Sequence, residues 1–495
     1  MGAVNLALTA RPAAIAAALF VFTLATRIPF RSGELWAWDS VLYARALEDG
    51  FHVDYVTANQ RPHPPGYLLY VAVAAVARSF TGDSNSALVL ISMIASALTA
   101  AALFLVARRF ASDRSAAAVA LGFALNPLVW QYSEIAYPYA LLGLLSIVLA
   151  ASFAHSRGRG AFAALISSAA FGAAAGFRQD LLWILGPLWL WTVWPMPWRG
   201  RLVAALVVWL GGLIWLVPTA MLSGGLFAYI DAVARQSDFV RATHSVLAQG
   251  LPALGTNMAT TAYATLWGLG LFALPVAALG LAEGYRAIRK RAAISVGQRE
   301  TLFIAWIVPG LVLYVCIHIG EWGYALSIIP GLYVIAAVAL DGLAAPRMVG
   351  RVALGISVLL PAFVFTTTSV PFSAAAIARH DWELASRVSF VREHYSPNTT
   401  LLIAREDFLL VRYYLPEYRA WLHDRDPYHT TLRRKRAPKV DAIVVFTSGL
   451  QTTSAEALRV KCAKDVELVY LAIEPGAVVE LQDDRYTIAD TPARR

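Results

Sequence analysis

Long apolar runs alternate with short polar loops through most of the chain, and each run predicts a helix. A helix needs roughly 20 apolar residues to cross the hydrocarbon core of a bilayer, and about eleven runs come close to that length. They lie at residues 12–29, 86–107, 115–131, 135–154, 161–177, 181–196, 202–221, 258–283, 301–319, 322–343 and 350–370. The pattern predicts a polytopic α-helical membrane protein. Because Arg27, Pro29 and Phe30 make a poor signal-peptide cleavage site, we expect the first run to be an uncleaved span.

One further apolar run, Pro64 to Phe80, decides the orientation of every span after it. It has roughly 17 residues, the lower limit for a span. The arginine-rich loops lie near residues 108–114, 157–159, 199–201, 286–299 and 347–351. They face the cytoplasm if this run lies flat or re-entrant on the outer face, and they face outside if it spans. The first arrangement satisfies the positive-inside bias, so we interpret the run as an interfacial helix in a first outer loop of about residues 30–85.

The composition becomes that of a soluble domain after about Pro371. We therefore divide the chain into a membrane domain, residues 1–372, and a small C-terminal α/β domain, residues 373–495. The run from Asp381 to His394 has helical periodicity. Short strands are predicted at Thr400–Ala404, Ala442–Phe446, Glu467–Leu471 and Val478–Leu481. An odd number of spans from a cytoplasmic N-terminus places this domain outside the cytoplasm.

Composition supports the membrane assignment and excludes one class of partner. Hydrophobic residues make up 58% of the 495 residues and charged residues only 15%, and the mean hydropathy is +0.57. The net charge of +9 would suggest nucleic acid in a soluble protein. Here, however, the cations lie in short loops between apolar runs, which is the pattern that fixes membrane orientation. We expect membrane lipids as partners and no nucleic acid.

Asp39 is the sharpest single candidate for chemistry. It follows Trp36-Ala37-Trp38 and precedes Ser40, shortly after the first apolar run. A carboxylate at a membrane boundary can deprotonate an acceptor hydroxyl as a general base. The position also suits a solvated loop carboxylate beside an aromatic interface belt. Both interpretations stay open on the residues alone.

Two basic residues on the predicted outer side could bind a phosphate. His63 precedes the rigid turn Pro64-Pro65-Gly66-Tyr67, where it could donate to a phosphate or merely cap the turn. Arg178 lies between two spans in Arg178-Gln179-Asp180. Its planar fork matches the oxygens of a lipid-linked phosphate, but a local pairing with Asp180 explains it equally well.

Other candidates lie in two further outer segments. Glu134 is followed by Pro138 near the start of a predicted span, so the helix dipole could stabilise its carboxylate, or it could serve the site. Asp39 and Glu134 could also share a divalent ion. His318 and Tyr324 belong to a short turn, where either could be an ordinary loop residue or part of a binding site.

Several of these residues together resemble a known superfamily. They are Asp39, the turn His63-Pro64-Pro65-Gly66-Tyr67, the segment from Asn126-Pro127 to Tyr139 with Glu134, and Tyr324 followed by Pro330. In this layout the chain resembles the membrane glycosyltransferases of the GT-C superfamily. It is similar to the bacterial relatives of protein O-mannosyltransferases, which include the aminoarabinose transferases of lipid A and the lipopolysaccharide glycosyltransferases of rhizobia. The resemblance is most specific over residues 36–140.

The resemblance implies a fold and a reaction. It implies interfacial helices in the first outer loop, in agreement with the charge argument above. Together with the roughly eleven apolar runs, this predicts a multi-pass protein of the inner cell membrane. The implied reaction is an inverting transfer of a sugar from a polyprenyl-phosphate donor on the outer leaflet. The acceptor could be a protein, a lipid or a glycan, and the sugar a hexose or a pentose.

The resemblance also assigns roles to residues. Asp39 matches the first-loop acid that acts on the acceptor hydroxyl, although Ser40 follows where relatives often have a second acid. His63 stands where relatives often have Lys before Pro-Pro, and it would bind the donor phosphate. Relatives often carry a basic residue directly before the tyrosine that Tyr324 matches. This chain has Gly323 there, and His318 could supply the basic group instead.

Two functions of other classes compete with the transferase. A transporter or flippase of lipid-linked glycans would place charges and broken helices near the bilayer midplane in two matched halves. This chain keeps its candidate residues at one predicted face and shows no internal repeat, which favours the enzyme. A scaffold that displays the C-terminal domain would leave the polar outer loops unexplained.

Overall fold

The structure is a computed structural model of the chain. It describes residues 2–56, 60–290, 297–342, 347–422, 435–438, 440–446, 458–473, 478–482 and 485–489. The chain divides into two compact units. The membrane unit comprises residues 1–31 and 65–377, and the sheet unit comprises residues 32–64 and 378–495. The segment 32–64, which contains Asp39 and His63, therefore belongs with the C-terminal part of the chain.

Helices make up nearly all of the membrane unit. In chain order the α-helices of the protein are α1 Gly2–Arg27, α2 Trp38–Glu48, α3 Leu68–Thr81, α4 Ser84–Ala107, α5 Asp113–Ala124, α6 Pro127–Tyr132, α7 Tyr139–Ser156, α8 Ala161–Ala174, α9 Leu181–Val193, α10 Trp198–Leu222, α11 Leu226–His244, α12 Val246–Gln249, α13 Leu251–Leu269, α14 Ala273–Lys290, α15 Gln298–Cys316, α16 Ile329–Gly342, α17 Arg347–Thr367, α18 Ala374–His394 and α19 Phe408–Tyr414. Short 3-10 helices lie at Ile28–Phe30, Gly270–Phe272 and Trp322–Ser327.

The lengths of these helices confirm a multi-pass membrane protein. Among the described residues, six helical segments are long and apolar enough to cross a bilayer. They are Arg11–Phe30, Ser84–Ala107, Tyr139–Ser156, Trp198–Leu222, Leu251–Arg286 and Gln298–Cys316. Shorter apolar helices are Leu68–Thr81, Ala161–Ala174, Leu181–Val193, Ile329–Gly342 and Val352–Thr367. The total of about eleven spans stays a prediction.

Several predicted spans begin or end elsewhere in the structure, and at two of them the local backbone chemistry gives the reason. The run at 115–131 is interrupted after α5, where the Asn126 side chain accepts from the Val129 N–H and caps α6. Pro127 occupies the first turn of α6, where its missing N–H costs nothing. The run at 135–154 becomes helical only from Tyr139, because residues 133–138 form an irregular turn that ends in a proline.

Close contact between α8 and α10 depends on glycine. A Cβ atom on Gly172 would overlap the carbonyl oxygen of Val208, and one on Gly211 would lie 2.6 Å from the carbonyl oxygen of Ala169. Small residues let membrane helices approach in this way, and the gain is van der Waals packing.

We therefore expect Gly172→Ala to destabilise the membrane unit by about 1–3 kcal/mol, because α8 and α10 must move apart to accept the methyl group. The matched control is Gly212→Ala on α10, where the added Cβ has no neighbour within 4 Å. Thermal unfolding of the two variants in one detergent measures the difference. Equal melting temperatures for both variants would contradict this packing.

A buried hydrogen-bonded group fixes the 3-10 helix Trp322–Ser327. The Ser146 hydroxyl on α7 donates to the carbonyl oxygen of Ser327 and accepts from Trp306 Nε1 at 2.8 Å. The Tyr314 hydroxyl on α15 lies 2.6 Å from Ser327 Oγ and donates to the carbonyl oxygen of Tyr324 at 2.9 Å. These bonds hold Tyr324 at a defined place between α7 and α15.

The described residues of the sheet unit form two sheets. Its strands are β1 Thr400–Ala404, β2 Arg419–Leu422, β3 Lys435–Pro438, β4 Ala442–Val445, β5 Leu458–Ala463, β6 Val466–Ala472, β7 Val478–Gln482 and β8 Arg485–Ala489. The order is β2-β1-β4-β6-β5 in one sheet and β3-β7-β8 in the other. β1 pairs in parallel with β2 and β4, and β4 pairs antiparallel with β6. The four predicted strands coincide with β1, β4, β6 and β7, and the predicted helix lies within α18.

Apolar side chains on the central strands form the core of this unit. Leu401, Ile403, Ile443 and Leu471 are at most 2% exposed. The continuous apolar runs of β1 and β4 are buried along their whole length, as expected for strands covered on both faces. The helix α2 of the segment 32–64 packs against α19 of the same unit.

Candidate functional site

Arg178 lies at the centre of an aromatic site in the membrane unit. Only 4% of this residue is exposed, although it lies in the loop between α8 and α9. Its guanidinium carbon lies 5.3, 5.1 and 4.5 Å from the ring centroids of Tyr67, Tyr139 and Tyr324. Asp180 accepts from its Nε at 3.1 Å and from its Nη2 at 2.8 Å. We call these five residues the Arg178 cage.

The turn before α3 brings Tyr67 into the cage. Gly66 and Tyr67 both have positive φ, 113° and 49°, and only glycine adopts such values without strain. The Leu69 N–H donates to the carbonyl oxygen of Gly176 at 3.0 Å and ties the start of α3 to the Arg178 loop. The Tyr229 hydroxyl on α11 donates to the Pro65 carbonyl oxygen at 3.1 Å and holds the other side of the turn.

The surroundings keep Arg178 charged and oriented. Burial by itself lowers the pKa of Arg178, but the Asp180 carboxylate and the surrounding tyrosines more than offset it, so the pKa is raised well above its ordinary value. Asp180 occupies one edge of the guanidinium group. Within the described part of the chain, Nη1 makes no hydrogen bond. A fixed cation whose two Nη1 N–H groups are uncommitted is suited to bind an anionic oxygen.

His318 and Glu321 extend the polar surface beside the cage. The His318 ring lies 5.7 Å from the Tyr324 ring, edge to face, and 4.6 Å from the His244 ring. Glu321 Oε2 accepts from the Tyr132 hydroxyl at 3.1 Å. Burial, followed by the nearby Glu321 carboxylate, raises the pKa of Tyr132 well above its ordinary value, so this hydroxyl keeps its proton. The structure thus brings together the predicted residues Arg178, His318 and Tyr324.

Glu134 lies in a different environment of the same unit. It is fully buried in the turn between α6 and α7, and its Oε1 accepts from Trp130 Nε1 at 2.6 Å. The Arg27 guanidinium lies over the Trp130 ring at 4.8 Å. Burial raises the pKa of Glu134 well above its ordinary value, while Arg27 and Trp130 oppose the shift. No hydrogen bond or ion pair in the described residues joins Glu134 to the Arg178 cage.

The expected dipole interaction of Glu134 is wrong. The helix α7 begins at Tyr139 with Pro138 as its N-cap, so Glu134 does not lie in the first turn of that helix. The dipole acts only within the first or last turn of a helix. The polar partners of Glu134 come instead from α1 and α6. A role in substrate binding stays a prediction.

We expect Glu134→Ala to destabilise the membrane unit by about 1–3 kcal/mol, because the buried Trp130 Nε1 would lose its acceptor. Glu283→Ala on α14 is the matched control, since Glu283 is 59% exposed and pairs with Arg286 at the surface. Melting temperatures in detergent measure both effects. A Glu134→Ala variant that melts with the wild type would show that the hydrogen bond between Trp130 and Glu134 does not stabilise the fold.

Asp39 and His63 form a close pair in the sheet unit. Asp39 lies in the first turn of α2, and its Oδ1 is 3.4 Å from His63 Nε2. The side chains are 29% and 18% exposed, so the pair is accessible but partly desolvated. The antiparallel bridge between His52 and Arg61 returns the chain toward α2 and brings His63 back to Asp39.

The hydrogen bonds of His63 decide where its protons lie. His63 Nδ1 is 2.6 Å from the Pro64 carbonyl oxygen, which can only accept, so Nδ1 carries a proton. Nε2 then faces the Asp39 carboxyl group. A proton between these two groups makes either an imidazolium with a carboxylate or an imidazole with a carboxylic acid. Such a pair can take up a proton at Asp39 and stabilise the product.

The candidate residues are distributed over the two units. Asp39 and His63 belong to the sheet unit, whereas Arg178, Glu134, His318 and Tyr324 belong to the membrane unit. No group of three or more histidine, cysteine, aspartate or glutamate side chains that could hold a metal ion occurs within the residues described. A divalent ion shared by Asp39 and Glu134 stays a prediction.

Comparisons with known proteins identify the fold. No protein-family model matches the chain, and no curated protein matches its sequence. The crystal structure of ArnT from Cupriavidus metallidurans bound to undecaprenyl phosphate aligns with a TM-score of 0.55 and 14% identity, over 94% of this chain and 98% of ArnT. ArnT in the apo state aligns with a TM-score of 0.52 and 14% identity, over 95% and 98% of the two chains. The chain therefore has the fold of these ArnT structures, which agrees with the fold that the sequence resemblance implied.

A third solved structure is more distant. The archaeal oligosaccharyltransferase AglB from Archaeoglobus fulgidus, in complex with an inhibitory peptide and a dolichol-phosphate, aligns with a TM-score of 0.48 and 11% identity. The alignment covers 88% of this chain and 69% of AglB. At this level of similarity it adds nothing to the assignment of the fold.

Proposed function

We propose that this protein is a membrane glycosyltransferase that transfers a sugar from a polyprenyl-phosphate donor to an acceptor on the outer face of the membrane. The single observation that carries the proposal is the Arg178 cage. It combines a buried, permanently charged guanidinium group with an uncommitted Nη1 donor and aromatic walls. The shared fold supports the choice of donor, since one ArnT structure holds undecaprenyl phosphate.

In this proposal the Arg178 cage receives the phosphate of the donor. Negative charge grows on the phosphate as the bond between the sugar and the phosphate breaks, and a fixed cation in a low-dielectric site stabilises that charge. Asp180 holds the guanidinium in place, so little reorganisation is needed during the reaction. Tyr324 lines the cage, and the His318 ring lies 5.7 Å from the Tyr324 ring, so both would contact the same phosphate or the sugar.

Asp39 would act as the general base. The acceptor hydroxyl attacks the anomeric carbon from the face opposite the phosphate, and the phosphate leaves with the bonding electrons. Asp39 takes the hydroxyl proton, and His63 Nε2 can then accept a hydrogen bond from the protonated carboxyl group. A single displacement of this kind inverts the anomeric configuration. His63 would thus serve Asp39, and its predicted contact with the donor phosphate stays a prediction.

The proposal includes a location. The chain would lie in the inner cell membrane with its C-terminal domain on the extracytoplasmic side, where polyprenyl-linked sugars and their acceptors meet. The acceptor would be a protein, a lipid or a glycan, and the sugar a hexose or a pentose.

A donor screen in proteoliposomes tests the proposal. Purified protein is mixed with polyprenyl-phosphate hexoses and pentoses, and membrane extract supplies the acceptors. We expect one donor to be consumed and its sugar to appear on an acceptor. Well-folded protein that consumes no donor would contradict the proposal, and movement of an intact lipid-linked sugar across the bilayer would favour a transporter.

A further inference from the structure

The C-terminal part of the sheet unit forms hydrogen bonds with the segment that leads into α2. Asp381 on α18 uses both carboxylate oxygens for this contact. Its Oδ1 accepts from the Ser32 hydroxyl at 2.7 Å, and its Oδ2 accepts from the Gly33 N–H at 2.6 Å. Hydrogen bonds to a carboxylate are roughly twice as strong as those between neutral groups. One side chain therefore fixes two consecutive residues of the segment.

A second set of contacts involves Leu35 and Trp36. The Leu35 N–H donates to the Tyr414 hydroxyl on α19 at 2.8 Å. The Trp36 ring stacks on the His380 ring, with the centroids 4.3 Å apart and the planes inclined by 30°. His380 Nδ1 lies 3.1 Å from Asp381 Oδ1. The residue that stacks on Trp36 therefore also contacts the carboxylate that binds Ser32.

The far end of α2 is held by the same helix α19. The Tyr413 hydroxyl donates to Glu48 Oε1 at 2.8 Å. The Trp38 ring, at the start of α2, lies 6.3 Å from the Phe408 ring. Both ends of the helix that carries Asp39 are thus attached to residues from the C-terminal part of the chain.

Residues 32–37 form no helix or strand, so no ladder of backbone hydrogen bonds fixes their course. Their geometry depends on the contacts with α18 and α19. Asp39 lies two residues after this segment, in the first turn of α2, so a shift of the segment would displace its carboxylate. A displacement of about 1 Å at a reacting group can cost on the order of 100-fold in rate.

We propose that the C-terminal part of the sheet unit positions residues 32–37 and, through them, Asp39. Asp381 and Tyr414 are its principal positioning residues. The contacts themselves are independent of any activity. Their consequence for turnover rests on the proposed function, in which Asp39 is the base.

Hydrogen exchange of the full-length protein tests the contacts without reference to catalysis. The readout is deuterium uptake in peptides that cover residues 32–38. We expect Asp381→Ala and Tyr414→Phe each to speed exchange in these peptides, because Gly33 and Leu35 lose their acceptors. The matched control is Glu393→Gln on α18, an exposed carboxylate that we expect to leave exchange unchanged. Unchanged uptake in both test variants would overturn the proposal.

Kinetics with the active donor test the consequence. We expect Asp381→Ala to lower kcat by about 10- to 100-fold while the KM for the donor stays within about twofold, because the base is displaced and the phosphate site is untouched. Asp381→Asn keeps one acceptor oxygen, and we expect it to restore part of the rate. A change in KM alone would contradict positioning of the base. If the two variants exchange faster than the wild type but the wild type itself transfers no sugar, the contacts stand and the proposed function is refuted.

Discussion

Asp39→Asn is expected to lower kcat by about 100- to 10,000-fold, the range typical of losing a general base. The amide keeps the size of the side chain but cannot take the acceptor proton. The KM for the donor should change little, because the proposed phosphate site is centred on Arg178. Initial rates in proteoliposomes, with donor concentration varied, separate the two parameters.

The control for this variant lies at the other end of the same helix. Asp49 is the C-cap of α2, is 53% exposed and pairs only loosely with Arg45 at 3.6 Å. We expect Asp49→Asn to keep wild-type turnover. An Asp39→Asn variant that turns over as fast as Asp49→Asn would remove Asp39 from the centre of the mechanism.

Arg178→Lys should lower kcat nearly as much as a substitution that removes the charge. An ammonium group cannot make the two parallel bonds to Asp180 and still present a third donor in a fixed direction. We expect a loss in kcat of about 100- to 1000-fold, the usual cost of removing one donor that stabilises developing charge. Initial rates of donor consumption measure this loss, and binding of undecaprenyl phosphate to the purified variant measures the loss of affinity.

Two further variants separate catalysis from folding. Arg178→Gln leaves the Asp180 carboxylate partly buried without a counter-charge, so Arg178→Gln with Asp180→Asn restores a neutral pair. Arg235→Gln is the control, since Arg235 is 59% exposed and pairs with Asp231 at the surface. The double variant should regain the wild-type melting temperature but not the activity. Regained turnover would show that Arg178 serves only to neutralise Asp180.

The membrane architecture could be predicted because span length and hydropathy are local properties of the sequence. The runs at 86–107 and 202–221 lie within α4 and α10. The interruption at Asn126-Pro127 could also have been predicted, because a capping residue before a proline indicates a helix start. Hydropathy alone does not detect this signal. Short apolar runs predicted four of the eight described strands, β1, β4, β6 and β7, but not β2, β3, β5 and β8.

The candidate site could be predicted only in part, because its geometry depends on contacts distant in sequence. Arg178 with Asp180 was one of two local alternatives, and the structure shows their pairing. Tyr139 as a wall of the Arg178 cage was missed, since aromatic residues near span ends ordinarily indicate an interface belt. The attachment of Ser32 and Gly33 to Asp381 was also missed, because no local pattern reveals a partner near the other end of the chain.

The identity of the leaving group tests the central claim most directly. With the donor found in the screen, both products are quantified in one reaction, the released lipid by mass spectrometry and the glycosylated acceptor by its anomeric configuration. We expect one polyprenyl phosphate for each sugar transferred, with inverted configuration at the anomeric carbon. Release of a polyprenyl diphosphate, retention of configuration, or an intact donor that has only crossed the bilayer would contradict the account.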